Sequence, residues 1–375
     1  MVSPVHLPSL TLENFRGIRS LEIPELGRVT LLAGENGIGK TTVLEAIRVF
    51  ASRGEKRSLT NLVESRGELL LGFDENGDEV LLPDFASLFH EIDRENKRTK
   101  PPVIGISAKP APHNLSLRLF SAAESGKQRS TVYAEDAPIK HLRVTVGKRR
   151  REYEIDNGYT GFRRLRHRLR QVRRDQNPEG WPVPITHESL GPDLLHNFDI
   201  ARLWDSVALT DAAEFVTSAL RLVVGEEVDG VAVISDSSQI YGASKRRVIV
   251  KLKSVSVPVP LERLGTGAHR FLEITLALAK CRGGVLLIDE VENGIHYLIQ
   301  PTLWKLIFKA ASEGDVQVIA ATHSWDCVTG FAEAAAESPE FGILYRLEKS
   351  GDSRRAVRYS EDDLDVAAQQ RIEVR

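Results

Sequence analysis

Three short runs along the chain, 29–33, 284–288 and 317–321, are apolar almost throughout. Unbroken apolarity over about five residues, rather than alternation, marks a strand covered on both faces of a sheet. The first runs into a glycine-rich turn, 34–39, and then into Val43, Leu44, Ile47 and Phe50 at helical spacing. A helix over 272–279 is predicted before the second run, and another over 298–311 after it. Elsewhere the pattern is of shorter β segments. Residues 10–15 and 20–23 flank the turn Arg16-Gly17-Ile18, and 68–73 and 79–82 flank Asp74-Glu75-Asn76-Gly77-Asp78, a strong hairpin signal. From residue 68 on, that hairpin and the runs 103–107, 115–120 and 142–146 read as an antiparallel β lobe. Residues 200–224 read as two helices, with Asp211 as N-cap of the second. Strand character returns at 231–235 and 247–257. Segments 341–348 and 356–359 make a closing hairpin.

The fold class expected from this order is α/β: a mixed sheet, an antiparallel β lobe near the N-terminus and a helical insertion. There is no internal repeat and no sustained heptad pattern, so a long coiled-coil arm is not expected. The expected organisation is a composite domain from 1–146 and 250–375, interrupted by a basic, helical subdomain over 147–249.

The 375 residues, 42% hydrophobic and 27% charged, suffice for a sizeable core and an ordinary polar surface. The two cysteines, Cys281 and Cys327, exclude zinc ribbons and disulfide scaffolds. The first ten residues lack a signal-peptide pattern, and no run approaches about 18 apolar residues. A soluble cytoplasmic protein is expected. The net charge of −2 conceals an asymmetry. Residues 148–174 hold eleven basic and three acidic side chains, a local +8 against −10 in the remainder. Arginines 149, 150, 151, 163, 164, 166, 168, 170, 173 and 174 are interleaved with Tyr153, Tyr159 and Phe162. That pattern fits nucleic-acid phosphates and bases, an acidic protein partner, or a solvated helix face.

The chemistry lies at the ends of the buried runs. Gly34-Glu35-Asn36-Gly37-Ile38-Gly39-Lys40-Thr41 fulfils G-x-x-x-x-G-K-[ST] between a strand and a helix. Its glycines let backbone N–H groups turn inward around the phosphates of ATP. Lys40 would reach the β and γ phosphates, and the Thr41 hydroxyl would ligate Mg²⁺. Asp289 and Glu290 end the second run, where Asp289 would hold the Mg²⁺ shell and Glu290 would polarise the attacking water. Thr322-His323-Ser324 ends the third, and His323 can donate to a γ-phosphate oxygen.

In this order, with Leu264-Gly265-Thr266-Gly267 ahead of Asp289-Glu290, the chain resembles the ABC-type ATPase heads of the SMC, RecF and OLD families. Asn14-Phe15-Arg16-Gly17-Ile18 looks like their N-terminal strand-turn-strand. Residues 290–296 look like the stretch after the Walker B strand in OLD-like and related standalone bacterial ATPases. The resemblance covers about 8–50 and 255–335, and implies a P-loop NTPase of ABC-head type with ATP and Mg²⁺ as cofactors. It implies that residues 34–42, with Thr42 closing the loop, bind phosphate, and that Asp289 and Glu290 form the Walker B pair. His323 would be the switch histidine, and Gly265, Thr266 and Gly267 a signature that caps the nucleotide of another protomer. By the same analogy Arg16 would contact the adenine or α-phosphate side.

The chain departs from that pattern in three places. Gly265 stands where the signature serine is usual, and His296 where many ABC proteins carry Asp. No Gln occurs between Thr42 and Gln128, so the Q-loop is unplaced, with Asp84, His90 and Glu91 as substitutes. The resemblance implies heads that dimerise around ATP and couple hydrolysis to DNA transactions, or to a separate effector such as a Toprim-type nuclease. Phage defence and DNA repair are the family settings. The 52 residues after His323 read as a hairpin and a short helix without a nuclease-type acidic cluster, so an effector is expected in trans. The alternative is a nucleotide-gated scaffold that captures and releases a protein partner.

Overall fold

The computed structural model describes residues 5–73, 78–90, 103–109, 114–121, 140–155, 180–236, 245–337 and 342–359. The three apolar runs are strands at the centre of one sheet: β3 (Val29–Ala33), β14 (Val285–Ile288) and β15 (Gln317–Thr322). Every residue of all three is buried, as strands covered on both faces require. Side chains alternate between the two faces. Val285, Leu287, Ile319 and Ala321 point into one core, while Leu286, Ile288, Val318 and Ala320 point into the other.

The order of this sheet is β10-β14-β15-β3-β16-β17. The first five are parallel, and β17 (Ser353–Tyr359) pairs antiparallel with β16 (Gly342–Ser350) as the expected closing hairpin. Its edge strand β10 (His187–Leu190) is not evident in the sequence, because His187-Glu188-Ser189 carries no apolar run.

A second six-stranded sheet, order β2-β1-β6-β7-β8-β9, is antiparallel throughout. It comprises β1 (Leu10–Phe15), β2 (Ile18–Ile23), β6 (Ile104–Ser107), β7 (Leu115–Ser121), β8 (Lys140–Val146) and β9 (Arg149–Glu154). Of the strands expected in the antiparallel lobe, those over 103–146 lie here, joined by β1 and β2, while those over 68–82 do not. Helix α1 (Lys40–Ala51) lies between the two sheets, with Val43, Ile47 and Phe50 in their shared core beside Leu59 and Val63 of α2 (Lys56–Glu64). The strands β4 (Leu69–Phe73) and β5 (Glu79–Pro83) form the separate hairpin that their turn signal foretells.

The far face of the parallel sheet is covered by α5 (Thr266–Lys280), α6 (Gln300–Glu313) and α7 (Trp325–Ala336). Trp304 and Phe331 meet edge to face at 5.0 Å between ring centroids, binding α6 to α7. A third core joins α3 (Asn197–Val207), α4 (Asp211–Val224) and α5 to a sheet of β11 (Val228–Asp236), β12 (Lys245–Leu252) and β13 (Val259–Pro260). The N-cap of α4 is Thr210, whose hydroxyl accepts from Ala212 N, and Asp211 is the first helical residue.

The expected inserted unit over 147–249 is divided in the structure. Its first strand, β9, completes the antiparallel sheet, and β10 joins the parallel sheet. Its remainder, α3, α4, β11 and most of β12, packs with α5 in the third core. The arginines of 163–174 lie outside the described residues. No helix among the described residues is long and apolar enough to cross a membrane.

Candidate functional site

The carboxyl ends of β3, β14 and β15 converge at one edge of the parallel sheet, where a doubly wound α/β fold places its ligand. From β3 the chain turns through Gly34 to Gly39 into α1. The turn is tight: a Cβ on Gly34 would stand 3.0 Å from the Leu347 carbonyl of β16, with φ at +146°. Gly39 is the N-cap of α1 and no side chain caps the helix, so its first N–H groups remain available to an anion. Lys40 is buried, its ammonium donating to the carbonyls of Gly34 at 2.6 Å and Glu35 at 3.0 Å. Burial lowers the Lys40 pKa, opposed by the charges of Asp289, Glu292 and Glu290.

Thr41 Oγ1 donates to Asp289 Oδ2 at 2.6 Å, so the expected metal pair is already in contact. Among the described residues no cluster of three or more His, Cys, Asp or Glu could cage a metal alone. One hydroxyl and one buried carboxylate are the hard oxygen donors that suit Mg²⁺, which takes its remaining ligands from water and phosphates. The residues present fit the ion. Thr42, which follows in α1, is buried.

Glu290 adopts a left-handed backbone, φ +47°, unusual for a residue with a side chain. His323 Nδ1 lies 3.7 Å from Glu290 Oε1 and 3.6 Å from Glu292 Oε1. Glu292 Oε1 in turn accepts from the Thr322 hydroxyl at 2.7 Å and from His323 N at 3.2 Å. The structure thus brings Lys40, Thr41, Asp289, Glu290 and His323 together and adds Glu292. Chemically the site offers a cationic cradle, a hard-metal pair and a carboxylate–histidine edge.

Gly265, Thr266 and Gly267 begin α5, nearly two turns earlier than the apolar periodicity indicates. Gly265 has φ +88° and, like Thr266, is exposed, and no side chain caps this helix either. The glycines lie against the turn after Glu290, since a Cβ on Gly267 would stand 3.1 Å from the Gly294 carbonyl. His296 supplies a local cap, its Nδ1 accepting from Leu298 N at 3.3 Å.

Arg16 is turned inward. Its guanidinium pairs with Glu45 of α1 at 2.8 Å and with Glu68, and Glu45 is also held by Arg66. It therefore clamps the antiparallel lobe to the phosphate-loop helix. The suggested Q-loop substitutes serve the same neighbourhood: Asp84 caps a short turn through Ala86 N, and His90 Nδ1 lies 2.7 Å from the Arg16 carbonyl. Glu91 lies outside the described residues, as do the basic positions beyond 155. Lys148, Arg149 and Arg150 are exposed at the β8–β9 turn, while Arg151 stacks over the Trp181 ring at 4.6 Å.

Sequence reasoning missed Arg270 and Glu273 of α5, both wholly buried. Burial pushes the Glu273 carboxyl pKa up, opposed by the Leu195 N–H and by Arg270. The signal was available: two charges three residues apart in a helix whose other residues over 270–279, Thr275 apart, are apolar need a buried partner.

Two family models match the chain. One, described as "AAA ATPase domain", matches residues 6–101, which hold the phosphate loop. The other, described as "AAA domain, putative AbiEii toxin, Type IV TA system", matches 235–326, which hold the signature glycines, Asp289, Glu290 and His323. An ATP/GTP phosphatase of Helicobacter pylori is 20% identical over 347 residues, 86% of each chain. The DNA replication and repair protein RecF of Rickettsia prowazekii is 44% identical over 63 residues, 16% of this chain and 18% of that one. Among solved structures, an SMC head bound to the C-winged helix domain of ScpA overlays with a TM-score of 0.49 at 13% identity, covering 95% of this chain and 98% of that one. The SMC head domain from Thermotoga maritima overlays with 0.42 at 14%, covering 94% and 99%.

Proposed function

We propose that this chain, an ATPase head of the SMC/RecF-like ABC type, hydrolyses ATP to ADP and phosphate in sites completed by a second copy of itself. The observation that carries the reading is the Thr41–Asp289 contact beside the buried Lys40. It joins the phosphate loop to the Walker B strand and sets side by side the two oxygens that would hold Mg²⁺.

In this reading the uncapped N-terminus of α1 and Lys40 take up the charge of the β and γ phosphates. Thr41 and Asp289 hold Mg²⁺, which supplies further neutralisation there. Glu290 accepts the proton of the attacking water as its oxygen bonds to the γ phosphorus, and the bond to the β–γ bridging oxygen breaks. His323 donates to a γ-phosphate oxygen, held in place by Glu292. The exposed, uncapped start of α5 at Gly265 and Thr266 suits the γ phosphate of a nucleotide on the other copy.

The output we propose is a DNA transaction. The exposed Lys148, Arg149 and Arg150 support it, as does the likeness to a protein named for DNA replication and repair. Control of a separate effector, including a nuclease in phage defence, is the family-level extension of that reading. The test is steady-state phosphate release from Mg²⁺-ATP by the purified chain, with and without duplex DNA. Release that Lys40→Ala abolishes and DNA stimulates supports both parts. DNA-independent release favours the nucleotide-gated scaffold, and absence of release contradicts the enzyme.

A further inference from the structure

Arg270 is wholly buried, and its Nη2 donates to two successive main-chain carbonyls, Asp289 at 2.8 Å and Glu290 at 3.2 Å. Its Nη1 pairs with Glu273 at 3.2 Å, one turn along α5. Glu273, also wholly buried, uses its other oxygen to accept from Leu195 N at 2.5 Å, in the segment that leads into α3. That segment is tied to the Walker B turn a second time, by Asn293 Nδ2 donating to the Pro192 carbonyl at 2.6 Å. One junction therefore joins the helix that begins at the signature glycines, the turn carrying Glu290, and the entrance of the helical lobe.

A buried ion pair is a poor source of stability, because desolvation offsets most of the attraction. Its strength is geometric. A planar guanidinium that grips consecutive carbonyls fixes the orientation of the peptide between them. Here that peptide joins Asp289 to Glu290, and Glu290 is held at φ +47°, a conformation its side chain disfavours. The direction of the Glu290 carboxylate is a consequence of this backbone.

We propose that Arg270 is a positioning residue for hydrolysis. It holds the left-handed turn at Glu290, so that the carboxylate faces the γ-phosphate end of the site. Through Glu273 it makes that placement depend on the segment at Leu195. The proposal rests on Glu290 being the base.

The test compares Arg270→Gln/Glu273→Gln, which leaves no lone buried charge, with Arg270→Lys, which keeps the charge and loses the fork. Phosphate release, affinity for a fluorescent ATP analogue and thermal midpoint are measured for each. The expected result is a fall in kcat of about tenfold or more with analogue affinity unchanged within about threefold, because ground-state binding does not use the turn. Adding Arg270→Lys to Glu290→Gln is expected to produce no further loss, since both act through one carboxylate. Native turnover in both Arg270 variants overturns the proposal. So does a multiplied loss in the Glu290→Gln background, or a loss of rate that only follows the loss of folded protein and analogue binding. Normal turnover in Glu290→Gln alone overturns the base assignment instead, and is read separately from the Arg270 variants.

Discussion

Thr41 Oγ1 donates to Asp289 Oδ2 at 2.6 Å, linking residues 248 positions apart at the edge of the parallel sheet. The contact prepares a hard-oxygen pair for Mg²⁺. Asp289→Asn preserves shape and removes the charge that the ion needs. The variant is expected to lose the increment in ATP affinity that Mg²⁺ confers, while affinity in EDTA stays at the native value. Titration with and without Mg²⁺ checks this, and a native Mg²⁺ increment contradicts it.

Lys40 gives the site a pH dependence. Burial lowers its pKa from the ordinary 10.5, so the ammonium loses its proton at a lower pH than an exposed lysine. The charged form exists below that lowered pKa and binds the phosphates. ATP affinity is therefore expected to fall as pH rises toward 10.5, before an ordinary lysine would titrate. Lys40→Ala should bind weakly with no such fall. Affinity that holds constant up to 10.5 contradicts the assignment.

Arg16 is predicted to act on stability. Its guanidinium, side chain 6% exposed, pairs with Glu45, 11% exposed. Removing Arg16 leaves the buried Glu45 with Arg66 as its remaining cation, at a cost of about 1–3 kcal/mol, below that of a fully stranded buried charge. Arg16→Ala should lower the unfolding midpoint strongly, whereas Arg16→Ala with Glu45→Gln should recover part of the loss. Chemical denaturation of the two variants measures it.

The parallel core and its chemistry were legible because each buried strand is apolar almost throughout and ends in a residue type with one evident use. The turn signal Asp74-Glu75-Asn76-Gly77-Asp78 made the separate β4–β5 hairpin legible, and the runs over 103–107, 115–120 and 142–146 did so for strands of the antiparallel sheet. Strand β10 was not, since His187 and Glu188 make it a strand only by pairing with Val285 and Leu286. The ion pairs of Arg16 were not legible, because its partners, Glu45 and Glu68, are remote in sequence and meet it only in the fold. The Arg270–Glu273 pair was visible as two charges one helical turn apart, but what Arg270 holds was not, its other acceptors being main-chain carbonyls that no side-chain pattern records.

Gly284 tests the close approach of β10 to β14. A Cβ there would lie 2.2 Å from the Thr186 carbonyl, backbone that cannot swing aside. Gly284→Ala is expected to destabilise the fold by about 1–3 kcal/mol. Gly230→Ala in β11, where a Cβ meets nothing within 4 Å, serves as the control and should change stability by less than about 0.5 kcal/mol. Equal midpoints for the two variants would contradict the packing described.

The central claim, hydrolysis at a site shared between two copies, is tested most directly by light scattering on Glu290→Gln with Mg²⁺-ATP. The account predicts a nucleotide-dependent doubling of mass, with bound nucleotide recovered as ATP rather than ADP. A particle whose mass ignores ATP, or a variant that returns ADP at the native rate, would contradict it.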